Sequence, residues 1–200
     1  MNILPSVLKN LIDKLTILPG VGPKSAQRMA LHILQYKQSQ AIALADGLKA
    51  CIDNIVTCDR CKNFADANPC KICTDSTRNQ HVLCIVETLS DLISIEQTGG
   101  FQGVYFVLSG HLSPIDQIGP EELNIPTLLS RIHSEPIDEI ILATNATIEG
   151  ETTAHYIVSH LPDQIKVTRL AAGIPIGTEL EFLNTNTLFH ALQERKEVAT

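Results

Sequence analysis

Two closely spaced pairs of cysteines constrain this chain more than any other feature of its sequence. Cys58 and Cys61 form the first C-x2-C pair, eight residues follow, and Cys70 and Cys73 form the second pair. Each pair places two thiolates on a tight turn, so that four sulfur atoms point at one tetrahedral metal ion. The polar segment between the pairs has too few apolar residues to fold by itself, so metal binding must supply folding energy. The spacing predicts one structural zinc ion per chain.

Two other roles compete with zinc for these cysteines. A pair of disulfides suits a secreted protein, but the N-terminus lacks the basic and then apolar segments of a signal peptide. A redox-active C-x-x-C needs only one pair, beside a βαβ unit. The two remaining cysteines, Cys51 and Cys84, lie in apolar-periodic stretches, and we expect both to be small core residues. No apolar run approaches the roughly 18 residues of a membrane span, so we expect a cytoplasmic protein.

Charge is distributed unevenly along the chain. The net charge is −7, which argues against indiscriminate binding to nucleic acid. Residues 1–36 carry four basic residues and one acidic residue, residues 37–76 carry five of each sign, and residues 77–200 carry six basic and sixteen acidic residues. We therefore expect a polyanion to bind the N-terminal part, and a basic protein or a metal ion to bind the C-terminal part.

The N-terminal part has apolar residues at helical spacing on both sides of a glycine-rich turn, residues 18–23. Two phosphate-binding motifs do not fit this turn. Pro23 stands where a P-loop has glycine before Lys-Ser, and a dinucleotide fingerprint needs a preceding strand and a third glycine. The pattern predicts a helix-hairpin-helix, in which Gly20 and Gly22 turn backbone N–H groups outward at the start of the second helix.

Lys24 and Arg28 are four residues apart and therefore share one face of the second helix, beside a phosphate held at the turn. With Gly20 and Gly22 they form the predicted DNA-binding residues, which contact the phosphate backbone and not the bases. The competing interpretation is a helical hairpin used only for packing or oligomerisation. A third helix is expected over residues 38–56, leading into the first cysteine pair.

After His81 the pattern changes to continuous apolar runs that alternate with helical segments. Strands are predicted at residues 82–86, 104–108, 139–143 and 165–170, with a loop and strand at 173–183 and a short helix at 187–196. Such alternation predicts a parallel α/β sheet, and sites on such sheets form at the carboxyl ends of the strands. The polar residues at or just after these ends are Glu87, His111, Asp116, Asn145, Glu149 and Glu151.

Four ordered segments together resemble the RecR family of bacterial recombination mediators. They are the glycine-rich turn at 18–28, the cysteine knuckle, Gly-His-Leu-Ser-Pro-Ile-Asp at 110–116 and Ala-Thr-Asn-Ala-Thr-Ile-Glu-Gly-Glu at 143–151, and the match continues to 177–181. The resemblance implies an α+β chain of several parts. These are a helix-hairpin-helix domain at 1–56, a four-cysteine zinc finger at 57–76, an α/β Toprim domain with a parallel sheet at 81–176 and a C-terminal tail at 177–200. Gln117 and Ala146 depart from the family pattern, which usually has Gly and Pro there.

The resemblance also implies a function in DNA repair and DNA recombination. RecR-like proteins form ring-shaped tetramers, and they act with RecO and RecF to load RecA onto single-stranded DNA coated by the single-strand binding protein. The expected partners are therefore single- and double-stranded DNA, RecO and RecF, RecA indirectly, and further copies of the chain, with no membrane. The expected location is the cytoplasm, in association with the nucleoid.

A Toprim fold can instead carry a metal-dependent enzyme that cleaves phosphodiesters. Enzymes with this fold use a Glu after the first strand as acid/base and an Asp-x-Asp after the third to hold magnesium. Glu87 occupies the first place and Glu149 and Glu151 the second, where they would hold Mg2+ only weakly. We expect no enzyme, because two hundred residues leave no room for a substrate-gating domain. Glu87, Asp116, Glu149 and Glu151 should instead form a docking surface for a basic partner such as RecO. A purely structural zinc protein is the remaining alternative.

Overall fold

The structure is a computed structural model that describes residues 3–171, 173–193 and 195. The chain forms two compact units, Met1–Ile55 and Val56–Thr200. Each unit has its own cluster of buried apolar residues, as independently folding parts of a chain do. Over the described ranges, no helix is both long enough and apolar enough to cross a membrane.

From residue 3 onward, the first unit forms three helices. They are α1 (Ser6–Leu15), α2 (Pro23–Tyr36) and α3 (Gln38–Asn54). Pro23 is the first residue of α2, where its missing N–H leaves no hydrogen bond unmade. Ile12 of α1 packs against Ala26 and Ala30 of α2, and both alanines are completely buried. Their small side chains allow α1 and α2 to pack closely, which forms the predicted helix-hairpin-helix.

Helix α3 buries none of its residues. Its large apolar side chains are between 58% and 80% exposed at Ile42, Leu44, Leu48 and Ile52. Cys51 is also exposed, so the prediction that it is a core residue was wrong. The reason is that the core of this unit lies between α1 and α2, which leaves α3 uncovered within the chain.

The second unit contains the cysteine segment and a four-stranded sheet. The cysteine segment has a short hairpin of β1 (Val56–Thr57) and β2 (Phe64–Ala65), followed by α4 (Lys71–Thr74). The sheet is formed by β3 (Val82–Val86), β4 (Val104–Val107), β5 (Glu139–Ala143) and β6 (Lys166–Arg169). Its helices are α5 (Leu89–Gln97), α6 (Ile125–Ser134) and α7 (Ile148–Val158). All neighbouring strands are parallel, in the order β4-β3-β5-β6, which confirms the predicted α/β sheet.

Both faces of the sheet are covered, which explains the continuous apolar runs in the strands. Leu83 and Ile85 point to the side of α6 and α7, whereas Cys84 and Val86 point to the side of α5. Cys84 is buried as predicted, and burial raises the pKa of its thiol to about 12. Such a thiol is an inert core group and not a reactive one.

The end of the chain differs from the prediction. Residues 173–183 contain no strand in the part that the structure describes; a short 3-10 helix, Leu180–Phe182, lies there instead. Leu180 and Phe182 alternate with a polar residue as in a strand, but both are exposed and no neighbouring strand pairs with them. The last helix among the described residues is α8 (Thr185–Gln193), which begins two residues before the predicted 187–196. Glu194 and Lys196 of the predicted helix lie outside the described residues.

Candidate metal centre and nucleic-acid interface

The four cysteines of the two C-x2-C pairs come together in one buried cluster. All four sulfur atoms lie within 4.8 Å of one another, with 3.9 Å between those of Cys58 and Cys73 and 3.5 Å between those of Cys61 and Cys70. Tetrahedral zinc with bonds of about 2.3 Å separates its sulfur ligands by about 3.8 Å, whereas a disulfide brings two sulfur atoms to about 2.0 Å. The cluster therefore has the size of a four-thiolate metal site and not of two disulfides.

Backbone amides favour the thiolate form at one of these cysteines. Burial opposes ionisation of Cys58, but N–H groups from Cys70, Cys61 and Arg60 outweigh it and lower the pKa of this thiol to about 7. The N–H of Cys70 donates to the sulfur of Cys58 at 3.4 Å. Cys61 behaves oppositely, because its hydrogen bond with Cys73 and its burial raise its pKa. Four thiolates packed this closely repel one another, so a cation is needed to keep all of them ionised.

Arg60, which lies between the first two cysteines, connects the cysteine cluster to the sheet domain by hydrogen bonds. Its Nη1 donates to the carbonyl of Cys73 at 2.8 Å, which bridges the two cysteine pairs. Its Nε and Nη2 donate to the two carboxylate oxygens of Glu135 at 2.8 and 2.9 Å. Burial opposes ionisation of Glu135, but the hydrogen bonds from Arg60 and Arg131 outweigh it and lower its pKa. This network was not predicted, and no local pattern in the sequence indicates it.

Arg131 of α6 also connects the cysteine segment to the sheet. Its side chain is only 4% exposed, and its Nη1 donates to the carbonyls of Arg60 and Tyr105 at 3.1 and 2.8 Å. The backbone N–H of Val107 donates to the carbonyl of Cys61 at 2.9 Å. The cysteine cluster thus covers the edge strand β4, whose unpaired backbone groups would otherwise be exposed.

The predicted DNA-binding residues lie at the start of α2. Gly20 has φ +78°, a left-handed conformation that favours glycine, and Gly22 precedes the helix with extended backbone. Apart from the adjacent residues, no atom lies within 4 Å of the position that a Cβ would occupy at either glycine, so a ligand can approach the backbone there. No side chain caps the first turn of α2, and Lys24 and Arg28 are both exposed. One accessible surface therefore combines the free amides, the positive end of the helix dipole and two cationic side chains.

Glu87, which follows β3, is only 1% exposed. Its two carboxylate oxygens accept hydrogen bonds from the backbone and side-chain nitrogens of Asn145, at 2.8 and 2.6 Å. Nδ1 of His111 lies 3.7 Å from the same carboxylate. The sheet therefore brings three of the predicted strand-end residues together. Placing Glu87 on a docking surface was wrong, because its carboxylate is buried and satisfied by Asn145.

Gly150 was missed by the sequence reasoning, although it fixes how close α7 comes to Glu87. A methyl group at this position would lie 2.2 Å from the carbonyl oxygen of Asn145 and 2.8 Å from Oε1 of Glu87. The side chain of Thr147 accepts a hydrogen bond from the N–H of Gly150 and begins the helix. Only glycine permits this approach, which positions the first turn of α7 beside the Glu87 carboxylate.

The other three carboxylates lie nearer the surface. Asp116 and Glu149 are exposed, and Asp116 accepts a hydrogen bond from the hydroxyl of Ser113 at 2.7 Å. Glu151 forms a two-pronged ion pair with Arg169 at 2.6 and 2.7 Å, which lowers the pKa of Glu151. Among the described residues, only the cysteines gather three or more candidate metal ligands. Within the described residues, no three of the predicted carboxylates therefore lie close enough together to bind one ion.

The described residues thus form a multi-part protein with a helix-hairpin-helix, a buried four-cysteine cluster and a parallel α/β sheet. Three family models match the chain: "RecR, helix-hairpin-helix" at 8–52, "Toprim domain" at 81–171 and "RecR, C-terminal" at 173–196. Three relatives share about half of its sequence. The protein from Psychrobacter cryohalolentis is 52% identical over 186 residues, that from Psychrobacter sp. 51% over 187, and that from Coxiella burnetii 49% over 189.

The alignment with the Psychrobacter cryohalolentis protein covers 92% of this chain and 94% of that relative. The corresponding shares are 93% and 96% for the Psychrobacter sp. protein, and 94% and 94% for the Coxiella burnetii protein. All three relatives are named "Recombination protein RecR". The chain belongs to the RecR family, as the sequence motifs predicted.

Proposed function

We propose that this protein is a DNA-binding mediator that acts with RecO and RecF to load RecA onto single-stranded DNA coated by the single-strand binding protein. The observation that carries the proposal is the start of α2, where Lys24 and Arg28 flank an open glycine turn. Backbone amides and cations at a helix start bind phosphate without reading bases. Contact of this kind suits a protein that acts on DNA of any sequence.

Zinc is the metal that we assign to the cysteine cluster, at one ion per chain. Four thiolates are soft ligands, which favour zinc over hard cations such as Mg2+. All four cysteines are buried, so the site has no open position for a substrate and its function is structural. Through Arg60 and Glu135 the metal would stabilise the edge of the Toprim sheet.

A mediator is favoured over a phosphodiester-cleaving enzyme by the environment of Glu87. A catalytic acid/base must reach its substrate, but both oxygens of this carboxylate accept hydrogen bonds from Asn145, and the side chain is buried. The acidic residues that remain accessible are Asp116, Glu149 and, paired with Arg169, Glu151. We assign them to electrostatic docking of a basic partner, with RecO as the proposed one.

The exposed face of α3 supports the proposal that the chain self-associates. The exposed apolar residues of α3 form a surface that water disfavours, and a second copy of the chain would cover it. One hairpin offers few groups for phosphate, whereas several hairpins in a ring-shaped tetramer would bind DNA together. We propose such a tetramer, located in the cytoplasm and associated with the nucleoid.

The test is the amount of labelled RecA that binds single-stranded DNA coated by the single-strand binding protein, with RecO present and this protein added or omitted. The wild type should increase RecA binding, and the Lys24→Ala/Arg28→Ala variant should not. The Glu149→Gln variant should associate more slowly with RecO, most visibly at low salt. If the wild type instead cuts labelled DNA in Mg2+ or Mn2+, and Glu87→Gln removes the cutting, the protein is a nuclease.

A further inference from the structure

Helix α2 carries a stripe of functional side chains that is longer than the predicted phosphate site. Lys24, Arg28, His32 and Tyr36 follow one another at intervals of four residues, and all four are exposed. At 1.5 Å per residue the stripe is about 18 Å long. The same four residues line one shallow open groove of about 370 Å³.

The stripe is not required for the core of its unit. At 100° per residue, its centre lies about 160° around the helix from Ala26 and Ala30. Those two alanines are fully buried against α1, whereas the side chain of Tyr36 remains 69% exposed. The helical hairpin therefore leaves the whole stripe available to a ligand.

The two halves of the stripe differ in chemistry. Lys24 and Arg28 supply positive charge near the start of α2, whereas His32 and Tyr36 supply two rings near its end. The ring centroids of this pair are 5.3 Å apart and the planes are tilted by 46°. Cations followed by exposed aromatic rings along one groove are the combination that holds the backbone and the bases of a single strand.

We propose that His32 and Tyr36 form a stacking platform for the unpaired bases of single-stranded DNA, whose phosphates bind Lys24 and Arg28. The inference rests on the proposed DNA contact at the start of α2 and adds the form of DNA that the helix prefers. Bases in a duplex already stack on one another and pair, so they do not offer their faces to side-chain rings, whereas unpaired bases do. The net positive charge of residues 1–36, in a chain of net charge −7, is complementary to this ligand.

The test compares binding of fluorescent oligothymidine and of a duplex of equal length, by anisotropy at fixed salt. Tyr36→Ala and His32→Ala should each weaken single-strand binding by about 5-fold to 150-fold, which is the effect of removing one stacked base. Duplex binding should stay within about twofold of the wild type. Tyr36→Phe keeps the ring and should bind normally. Gln35→Ala is the matched control, because it changes an exposed groove residue that has no ring.

Three results would overturn the inference. If the alanine variants lose the same factor of affinity for the single strand and for the duplex, the rings only stabilise the helix. If Tyr36→Ala and His32→Ala both bind the single strand as tightly as the wild type does, the rings are not a stacking platform. Phosphate binding by Lys24 and Arg28 would be unaffected by that result. A change in molecular mass in solution on Tyr36→Ala would identify the rings as a contact between copies of the chain. If the wild type binds neither DNA, the proposed function fails together with this inference.

Discussion

Glu135 accepts two hydrogen bonds from Arg60, although 75 residues separate them in the sequence. Arg60 lies inside the first C-x2-C pair, and Glu135 is the C-cap residue that directly follows α6. This pair joins the cysteine cluster to the Toprim sheet, so the stability of the two parts should be coupled. A metal ion bound by the cysteines would thereby stabilise the edge strand β4 and the helix behind it.

Zinc content tests the metal centre. Elemental analysis of protein purified without chelator should find one zinc per chain. Cys58→Ser should lose the metal and lower the thermal stability of residues 56–200, because metal binding here supplies folding energy. Cys51→Ser is the control, since Cys51 is exposed on α3 and outside the cluster. Wild-type protein without zinc would contradict the assignment.

Removing the charge of Glu135 should destabilise the junction between the cluster and the sheet. Glu135→Gln leaves Arg60 and the buried Arg131 without their shared carboxylate, and we expect a loss of about 1–3 kcal/mol in free energy of unfolding. Zinc should also pass more quickly to a chelator. Exposed Glu121→Gln is the control, and urea melts compare the two variants. Equal stability and equal zinc release would show that the network is not coupled to the metal.

The lowered pKa of Glu96 predicts that the stability of the fold depends on pH. Its carboxylate accepts hydrogen bonds from Arg78 at 2.9 and 2.5 Å and from the hydroxyl of Tyr105 at 2.7 Å, and the bonds from Arg78 are the main cause of its lowered pKa. A lowered pKa means that the ionised form stabilises the fold. This contribution is complete above the ordinary pKa of 4.5 and is lost as the pH falls through the lower folded value.

The matching experiment compares wild type and Glu96→Gln by urea melts from pH 7 to pH 3. The wild type should be the more stable at pH 7, and the difference should shrink below about pH 4.5. A difference that stays constant across this range would mean that ionisation of Glu96 contributes nothing.

Gly150→Ala should destabilise the protein by about 1–3 kcal/mol, because the new methyl group overlaps the Asn145 carbonyl and crowds Glu87. Gly47→Ala in α3 is the matched control, since nothing lies within 4 Å of its added methyl group. That control should be neutral or should stabilise α3 by up to about 1 kcal/mol. Thermal melts of both variants check the contrast. A neutral Gly150→Ala would show that α7 can move away from Asn145.

Local patterns predicted much of this molecule. The spacing of the cysteines predicted that all four sulfur atoms lie together, and both C-x2-C pairs do form one cluster. The buried runs predicted the four strands of the sheet, because continuous apolar residues suit a strand covered on both faces. The helix-hairpin-helix followed from the glycine-rich turn, where a left-handed residue is needed at Gly20.

Contacts between distant residues could not be predicted in this way. The burial of Glu87 depends on Asn145, which lies 58 residues away, and on the close approach that Gly150 allows. Cys51 follows an apolar period like Cys84, but only Cys84 lies in a strand with helices packed on it. The exposure of α3 likewise depends on what packs against it, which a periodic pattern does not specify.

The salt dependence of DNA binding tests the central claim most directly, namely that the start of α2 binds phosphates. The logarithm of the binding constant for single-stranded DNA should fall with the logarithm of salt concentration. The slope should decrease in magnitude by about 0.7 for each phosphate that the Lys24→Ala/Arg28→Ala variant no longer binds. Lys49→Ala/Lys71→Ala makes the same change in net charge at exposed residues outside α2, and its slope should match the wild type. A wild-type slope in the Lys24→Ala/Arg28→Ala variant would contradict the account.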